Sequence, residues 1–332
     1  MGRNHRIKWS ILRLAVWALL GTVSTIAVAA PPPGVPDGWS DGYVYTNGMR
    51  MHYYHAVPAP GKPVIVMVHG VTDNGLCWTT LTEELQKSYD IYMVDMRGHG
   101  LSDPFTDSDT GATLMDDVVG FVHAMKFDKP ILMGHSMGAA TVMRIGAVYP
   151  DLARAVIMLD PGLGRMGPGA PGRAGAAGPP STVPRPGAPA ANSASSSTWS
   201  LAMFGTPEAL VMQNNTSFEE LVSICGKQNR KWDPVDCEYW ALSKRQYHGP
   251  YTEAESRAMT GTMSTADALS KITVPALILK ADAPPDVRKA NEQAASVMQH
   301  GKLVHIDGAA HNLHHDQRKR TVQELTTFLN TL

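Results

Sequence analysis

The sequence predicts an α/β protein with a mostly parallel central sheet, helices on both faces, and a helical cap inserted after the sixth strand. Three observations predict this. Short apolar runs of buried-strand length recur along the chain: "VIVMVH" (64–69), "DIYMVD" (90–95), "PILMGH" (130–135), "AVIMLD" (155–160), "ALILKAD" (276–282) and "KLVHID" (302–307). Helix-compatible stretches at 77–88, 112–126 and 137–149 separate the first four, which is the rhythm of βαβ units and of a sheet buried on both faces. That rhythm stops after Asp160 and resumes at Val274, so the intervening chain is an insertion between two strands of one sheet.

Each segment has its own reason. Arg3, Arg6 and Lys8 precede an uncharged stretch, Leu14 to Ala29, that ends in Ala27-Val28-Ala29. A basic start, an apolar segment too short for a comfortable span and a small-x-small end predict a cleaved signal peptide over 1–29 and an exported, periplasmic or secreted protein. No Arg-Arg pair suggests the twin-arginine route. A Pro/Gly linker follows over 30–40. In "YVYTNGMRMHYYHA", Asn47-Gly48 sits between two β-prone runs; both residues tolerate positive φ, which predicts a hairpin at one sheet edge. The α/β core is expected over 41–160 and 266–332. Residues 161–198 are dominated by Pro, Gly, Ala and Ser and bury too little apolar surface to fix themselves, so they read as a flexible loop. Residues 199–265 turn helical and apolar again, the expected cap, with Ser217 and Glu220 spaced as a capping box.

The chain has 332 residues, 43% of them hydrophobic and 18% charged, with a formal net charge of −1. That balance suits one large domain with an insertion and gives no electrostatic case for nucleic acid. Export permits disulfides. Cys225 and Cys237 lie in one region and are expected to pair, whereas Cys77 beside Trp78 reads as a small core residue. No Cys/His spacing suggests a metal, and no cofactor is expected.

Three features converge on the strand ends. In "PILMGHSMGAATVM", Ser136 stands between Gly134 and Gly138, after a strand and before a helix. The glycines permit a sharp turn that exposes the hydroxyl as a nucleophile. In "VMVHGVTDNG", Gly70 lets the N–H of Val71 approach a ligand, so Val71 and Met137 are the expected oxyanion donors. In "VHIDGAAHNLHHD", His311 directly follows the last strand and is placed to take the serine proton. His314 and His315 read instead as a solvated or partly buried helix face.

The order Ser136, acid, His311, together with "DMRGHGLSD" over 95–103, resembles the α/β-hydrolase superfamily, with the likeness spanning roughly 41–160 and 270–330. The resemblance implies that Ser136 attacks, His311 shuttles the proton, and Arg97, His99 and Asp103 brace a turn. It leaves three candidate acids. Asp282, directly after its strand, ranks first; Asp160, ending its own strand, ranks second; Asp286, which can cap a helix, ranks third. His69-Gly70-Val71 is shorter than the glycine-rich oxyanion motif of some lipases, which disfavours bulky tertiary-alcohol esters. A serine in place of an aspartate argues against halide and epoxide hydrolysis. The implied activity is that of a serine carboxylesterase, cleaving a small, largely apolar ester through an acyl-enzyme, with cap residues Trp199, Met203, Phe204, Leu210, Met212, Trp232, Tyr239 and Trp240 divided between packing and a pocket. The same triad would serve a C–C bond hydrolase, lactonase, amidase or perhydrolase. A catalytically inactive secreted binding protein on the same fold is the non-enzymatic alternative. The expected partner is a small-molecule ester, with no membrane partner once the signal is cleaved.

Overall fold

Eight strands form a single sheet in the order β1-β2-β4-β3-β5-β6-β7-β8. They are β1 (Ser40–Thr46), β2 (Met49–His55), β3 (Val64–Val68), β4 (Asp90–Val94), β5 (Ile131–His135), β6 (Ala155–Leu159), β7 (Ala276–Ala281) and β8 (Gly301–Ile306). This computed structural model describes residues 33–163 and 206–332. The expected signal peptide over 1–29, the start of the linker, most of the 161–198 loop, and Trp199, Met203 and Phe204 lie outside the described residues.

The β1–β2 hairpin and the β2–β4 pairing are antiparallel, and every other pairing is parallel. Asn47 and Gly48 make the hairpin turn with φ of 43° and 73°, as their tolerance of left-handed backbone predicts. Each parallel strand sends alternate residues to opposite faces. Val66, Val68, Val94, Leu132, Val156, Met158 and Ile278 face one apolar layer; Ile65, Met67, Ile91, Met133, Ile157, Leu159 and Leu277 face the other. Both sets are buried, which is why the strands read as continuous apolar runs rather than as alternating ones.

Helices α1 (Thr79–Leu85), α2 (Thr113–Ala124) and α3 (Met137–Val148) connect the early strands. Between β6 and β7 come α4 (Pro207–Asn215), α5 (Phe218–Gln228), α6 (Pro234–Gln246), the single turn α7 (Glu253–Ser256) and α8 (Thr265–Lys271). Then follow α9 (Pro285–Ala295), the one-turn α10 (Leu313–Asp316) and α11 (Arg318–Leu329). Cys225 and Cys237 are bonded, fastening α5 to α6, and Cys77 is free and buried. Ser217 caps α5 by accepting from the Glu220 N–H, while the reciprocal capping box stands at Thr252 and Glu255 instead.

The start of α3 lies directly on the end of β3. The Gly138 N–H donates to the His69 carbonyl at 3.1 Å, and a Cβ on Gly138 would sit 2.0 Å from the Val68 carbonyl oxygen. No rotamer choice relieves a clash with backbone, so the whole helix would have to move. Gly138→Ala is therefore expected to lower stability by roughly 2–3 kcal/mol. Urea unfolding measures this, and a midpoint equal to that of the unsubstituted protein would contradict the close approach.

Candidate active site

Parallel strands β3, β5, β6, β7 and β8 end side by side, and the residues that the sequence singles out as candidates lie at or just beyond their C-terminal ends. At the end of β5, Ser136 has φ 52° and ψ −109°, a conformation strained for a residue with a side chain. The turn is enforced from several sides. The Ser136 N–H donates to the Leu159 carbonyl at 3.0 Å, and a Cβ on Gly134 would lie 2.2 Å from the Gly138 carbonyl oxygen. The Ser136 hydroxyl makes no hydrogen bond among the described residues and heads α3, whose first N–H, that of Met137, has no partner within the helix.

The β3 end forms the facing loop. His69 is fully buried and accepts at Nε2 from the Met96 N–H (3.0 Å), so its proton sits on Nδ1, which donates to the Gly70 carbonyl (2.7 Å). Burial lowers the His69 pKa and keeps it in that neutral tautomer, despite the nearby Asp95 charge. The Val71 and Met137 N–H groups donate to nothing else among the described residues, which leaves both expected oxyanion donors available. Thr72 holds φ at 66°, unfavourable for a β-branched residue. Lys244 on α6 secures it: its ammonium donates to the Thr72 carbonyl (2.9 Å), the Thr72 hydroxyl (2.8 Å) and the Asp73 carboxylate (2.8 Å). Burial alone would raise the Asp73 pKa, but the Lys244 charge outweighs it and lowers it. An Asn74 to Gln246 hydrogen bond of 2.8 Å adds a second tie between this loop and α6.

His311 meets Asp160. His311 Nδ1 lies 2.6 Å from Asp160 Oδ2, across 151 residues of chain. Asp160 itself has φ 45° and directs its N–H to the Leu279 carbonyl at 2.7 Å. Its other oxygen accepts from the Ala281 N–H (3.1 Å) and pairs with the Lys280 ammonium (2.5 Å). Burial would raise the Asp160 pKa; the hydrogen bond with His311 and the Lys280 charge override it and hold the carboxylate well below its usual range.

The structure corrects the ranking of the acids. Asp282 is exposed and turns away from His311, with its carboxylate accepting from the Gly308 N–H (2.8 Å) and from Arg288 (2.5 Å). Its N–H donates to the Ala309 carbonyl at 2.9 Å, so Asp282 braces the loop that carries His311. The physical reason lies in the strand ends: Asp160 leaves β6 in a left-handed conformation that swings its side chain toward His311, and no sequence pattern announces a positive φ at an aspartate. Asp286 is exposed in the first turn of α9.

His314 and His315 are also placed differently from expectation, at 2% and 7% exposed. The helix they share is a single turn, and both rings pack on aromatics: Trp78 lies 4.9 Å from His314 and Trp232 lies 4.4 Å from His315, centroid to centroid. His135, quoted above only as a spacer in the serine motif, is buried; its Nε2–H donates to the His311 carbonyl at 3.0 Å and fixes the backbone of that loop. The Asp95–Ser102 turn is braced as the motif implies. Arg97 holds Asp117 with two hydrogen bonds (2.8 and 3.0 Å), His99 donates to the Arg97 carbonyl (2.8 Å), and Asp103 accepts from the Arg50 N–H (2.8 Å). Of the described apolar residues after β6, Leu210, Trp232 and Tyr239 are buried and Met212 is exposed, and the Trp232 indole donates to Asp316. The sequence reading missed Lys280, Lys244 and Asp73. Lys280 alone left a signal, since a lysine inside an otherwise apolar strand requires a buried partner.

The family model described as "Alpha/beta hydrolase family" matches residues 65–324. The chain is 34% identical over 130 residues to an N-formylmaleamate deformylase of Pseudomonas putida, covering 39% of this chain and 47% of the relative, so it spans about half of that relative's length. It is 21% identical to epoxide hydrolase 1 of Caenorhabditis elegans, covering 98% of this chain and 78% of the relative. Among solved structures, the N-formylmaleamic acid deformylase of Pseudomonas putida S16 superposes with a TM-score of 0.62 at 22% identity, covering 86% of this chain and 100% of that one. This likeness is one of fold.

The buried imidazoles make stability depend on pH. Burial lowers the pKa of His69, His99, His135 and His314, that of His135 to about 3 with repulsion from His311 as the next cause. The unfolded chain protonates these groups near pH 6.5 and the folded chain does so only lower, so their stability is complete above about pH 6.5 and is lost as pH falls below it. His52 acts the other way: its burial is outweighed by Asp95 and Asp41, which raise its pKa. The lowered groups outnumber it, so the urea midpoint is expected to fall clearly between pH 7.5 and pH 5. An unchanged midpoint would contradict the neutral, buried assignment.

Proposed function

The chain belongs to the alpha/beta hydrolase family; from that premise we propose that it is a hydrolase and cleaves a carboxylic ester of a small substrate through an acyl-enzyme on Ser136. The single observation that carries the reading is the 2.6 Å contact between His311 Nδ1 and Asp160 at strand ends next to a strained Ser136. With Asp160 accepting at Nδ1, the neutral imidazole keeps Nε2 as the base. His311 takes the Ser136 proton as Oγ attacks the acyl carbon. The developing oxyanion is met by the N–H groups of Val71 and Met137, each worth about 3 kcal/mol in the transition state. His311 then returns the proton to the leaving alcohol. A water, deprotonated by His311, releases the acid and restores Ser136. Asp160 stays ionised throughout and stabilises the imidazolium, in place of the first-ranked Asp282.

The helices between β6 and β7 serve as a cap in this reading, and Lys244 ties that cap to the oxyanion loop. Export to the periplasm or outside the cell fits the Cys225–Cys237 disulfide, which persists in oxidising compartments. Amide cleavage by the same residues is the second reading, favoured by the similarity to a deformylase of N-formylmaleamate.

A fluorophosphonate is expected to modify Ser136 alone, and Ser136→Ala to lower kcat on p-nitrophenyl acetate at least about 1000-fold. Label on another residue, or retained turnover in Ser136→Ala, would overturn the nucleophile. Turnover of N-formyl amides with no turnover of esters would replace the first reading by the second.

A further inference from the structure

Lys280 is a charged residue in an otherwise apolar strand whose first four side chains are buried. It stands on β7, between β6 and β8, which lead to Asp160 and to the His311 loop respectively. Its ammonium reaches Asp160 Oδ1 at 2.5 Å and the Pro161 carbonyl at 2.7 Å, and its side chain is 13% exposed. Asp160 therefore divides its two oxygens, Oδ1 to Lys280 and the Ala281 N–H, Oδ2 to His311. A carboxylate held on both sides has one rotamer. A carboxylate paired with a cation also attracts an imidazolium less than an unpaired one does.

We propose that Lys280 is a positioning residue that fixes the Asp160 carboxylate and, through its charge, weakens the hold of His311 on its second proton, so that the base stays neutral and usable at lower pH. The proposal rests on the reading of His311 as the base. Among the other groups around His311, Asp316 of α10 accepts from the Ala310 N–H (2.8 Å) and the Trp232 indole (2.8 Å) and is the same in every Lys280 variant, so a change in this balance falls to Asp160 and Lys280. His135 of β5 lies 4.7 Å away, ring to ring, and is neutral through burial. His314 of α10 is neutral for the same reason. Asp73 of the β3 loop is paired with Lys244. Asp282 and Asp307, near the β8 loop, are paired with Arg288.

Removing the Lys280 charge leaves the Asp160 charge uncompensated beside His311. An imidazolium near an unscreened carboxylate is stabilised, so the titration of the base moves to higher pH. For a unit charge several ångströms away in a partly buried site the movement is on the order of one pH unit. Two substitutions separate charge from geometry: Lys280→Gln keeps a donor toward Asp160 and Pro161 without the charge, and Lys280→Arg keeps the charge.

The test is ring-nitrogen NMR of histidine-labelled full-length protein, with the His311 signal assigned by its loss in His311→Gln, run beside the pH–rate profile on p-nitrophenyl acetate. In Lys280→Gln the His311 midpoint and the acid limb of kcat/KM are expected to move up together by about one unit, and in Lys280→Arg to stay within a few tenths of the parent. If Lys280→Gln does not fold, Lys280→Met is read in the same way. A His311 midpoint unmoved in a folded, charge-free variant overturns the proposal. A moved midpoint in a protein that hydrolyses no ester supports the proposal and overturns the ester reading instead, because the NMR signal does not depend on substrate.

Discussion

The hydrogen bond between His311 and Asp160 organises the candidate active site. It joins residues 151 apart, and neither end reaches it without help. Asp160 accepts a left-handed backbone, anchored to Leu279 of the neighbouring strand, to present its carboxylate. His311 is carried on a loop held at three points: Asp282 at Gly308 and Ala309, Asp316 at the Ala310 N–H, and His135 at the His311 carbonyl. The parallel order β5-β6-β7-β8 makes this possible, because it delivers Ser136, Asp160, Lys280 and the His311 loop from consecutive strand ends.

The residues that form the site are strained or costly to bury. Thr72, Ser136 and Asp160 all have positive φ without being glycine. Each such conformation costs on the order of 1–3 kcal/mol and survives only where surrounding contacts over-determine it. Those contacts are visible: Lys244 for Thr72, the packing of Gly134 and Gly138 for Ser136, Lys280 and Ala281 for Asp160. Neutral histidines form the layer beneath, with His135 and His314 in ring contact at 4.8 Å. A buried neutral imidazole packs against its neighbours, and in His69 and His135 hydrogen-bonds them, without bringing a full charge, at the expense of acid stability.

Much of this is legible in the amino-acid sequence. Short apolar runs disclose a doubly covered parallel sheet because burial on both faces leaves no polar alternation, and the six strands β3 to β8 fall within a residue of those six runs. Ser136, Val71 and Met137 were legible as candidates because glycines at strand ends mark places where backbone must come close, and His311 because it follows the last strand. The acid was not. Asp160 and Asp282 both end a strand and differ only in the backbone angle by which each leaves it, which neighbouring chain decides. Lys244 was illegible for a related reason: its partners are more than 170 residues away, in a loop whose need for a clamp comes from the strained Thr72.

The central claim is that Asp160, and not Asp282, orients His311. Turnover of p-nitrophenyl acetate by Asp160→Asn and Asp282→Asn tests it directly. Loss of the carboxylate that sets the histidine tautomer lowers kcat by about 10⁴-fold in a serine triad, whereas loss of a loop brace at an exposed site costs far less. The account predicts a fall of that order for Asp160→Asn and one of about tenfold or less for Asp282→Asn, with both proteins folded. Near-full activity in a folded Asp160→Asn, with collapse in Asp282→Asn, would contradict it.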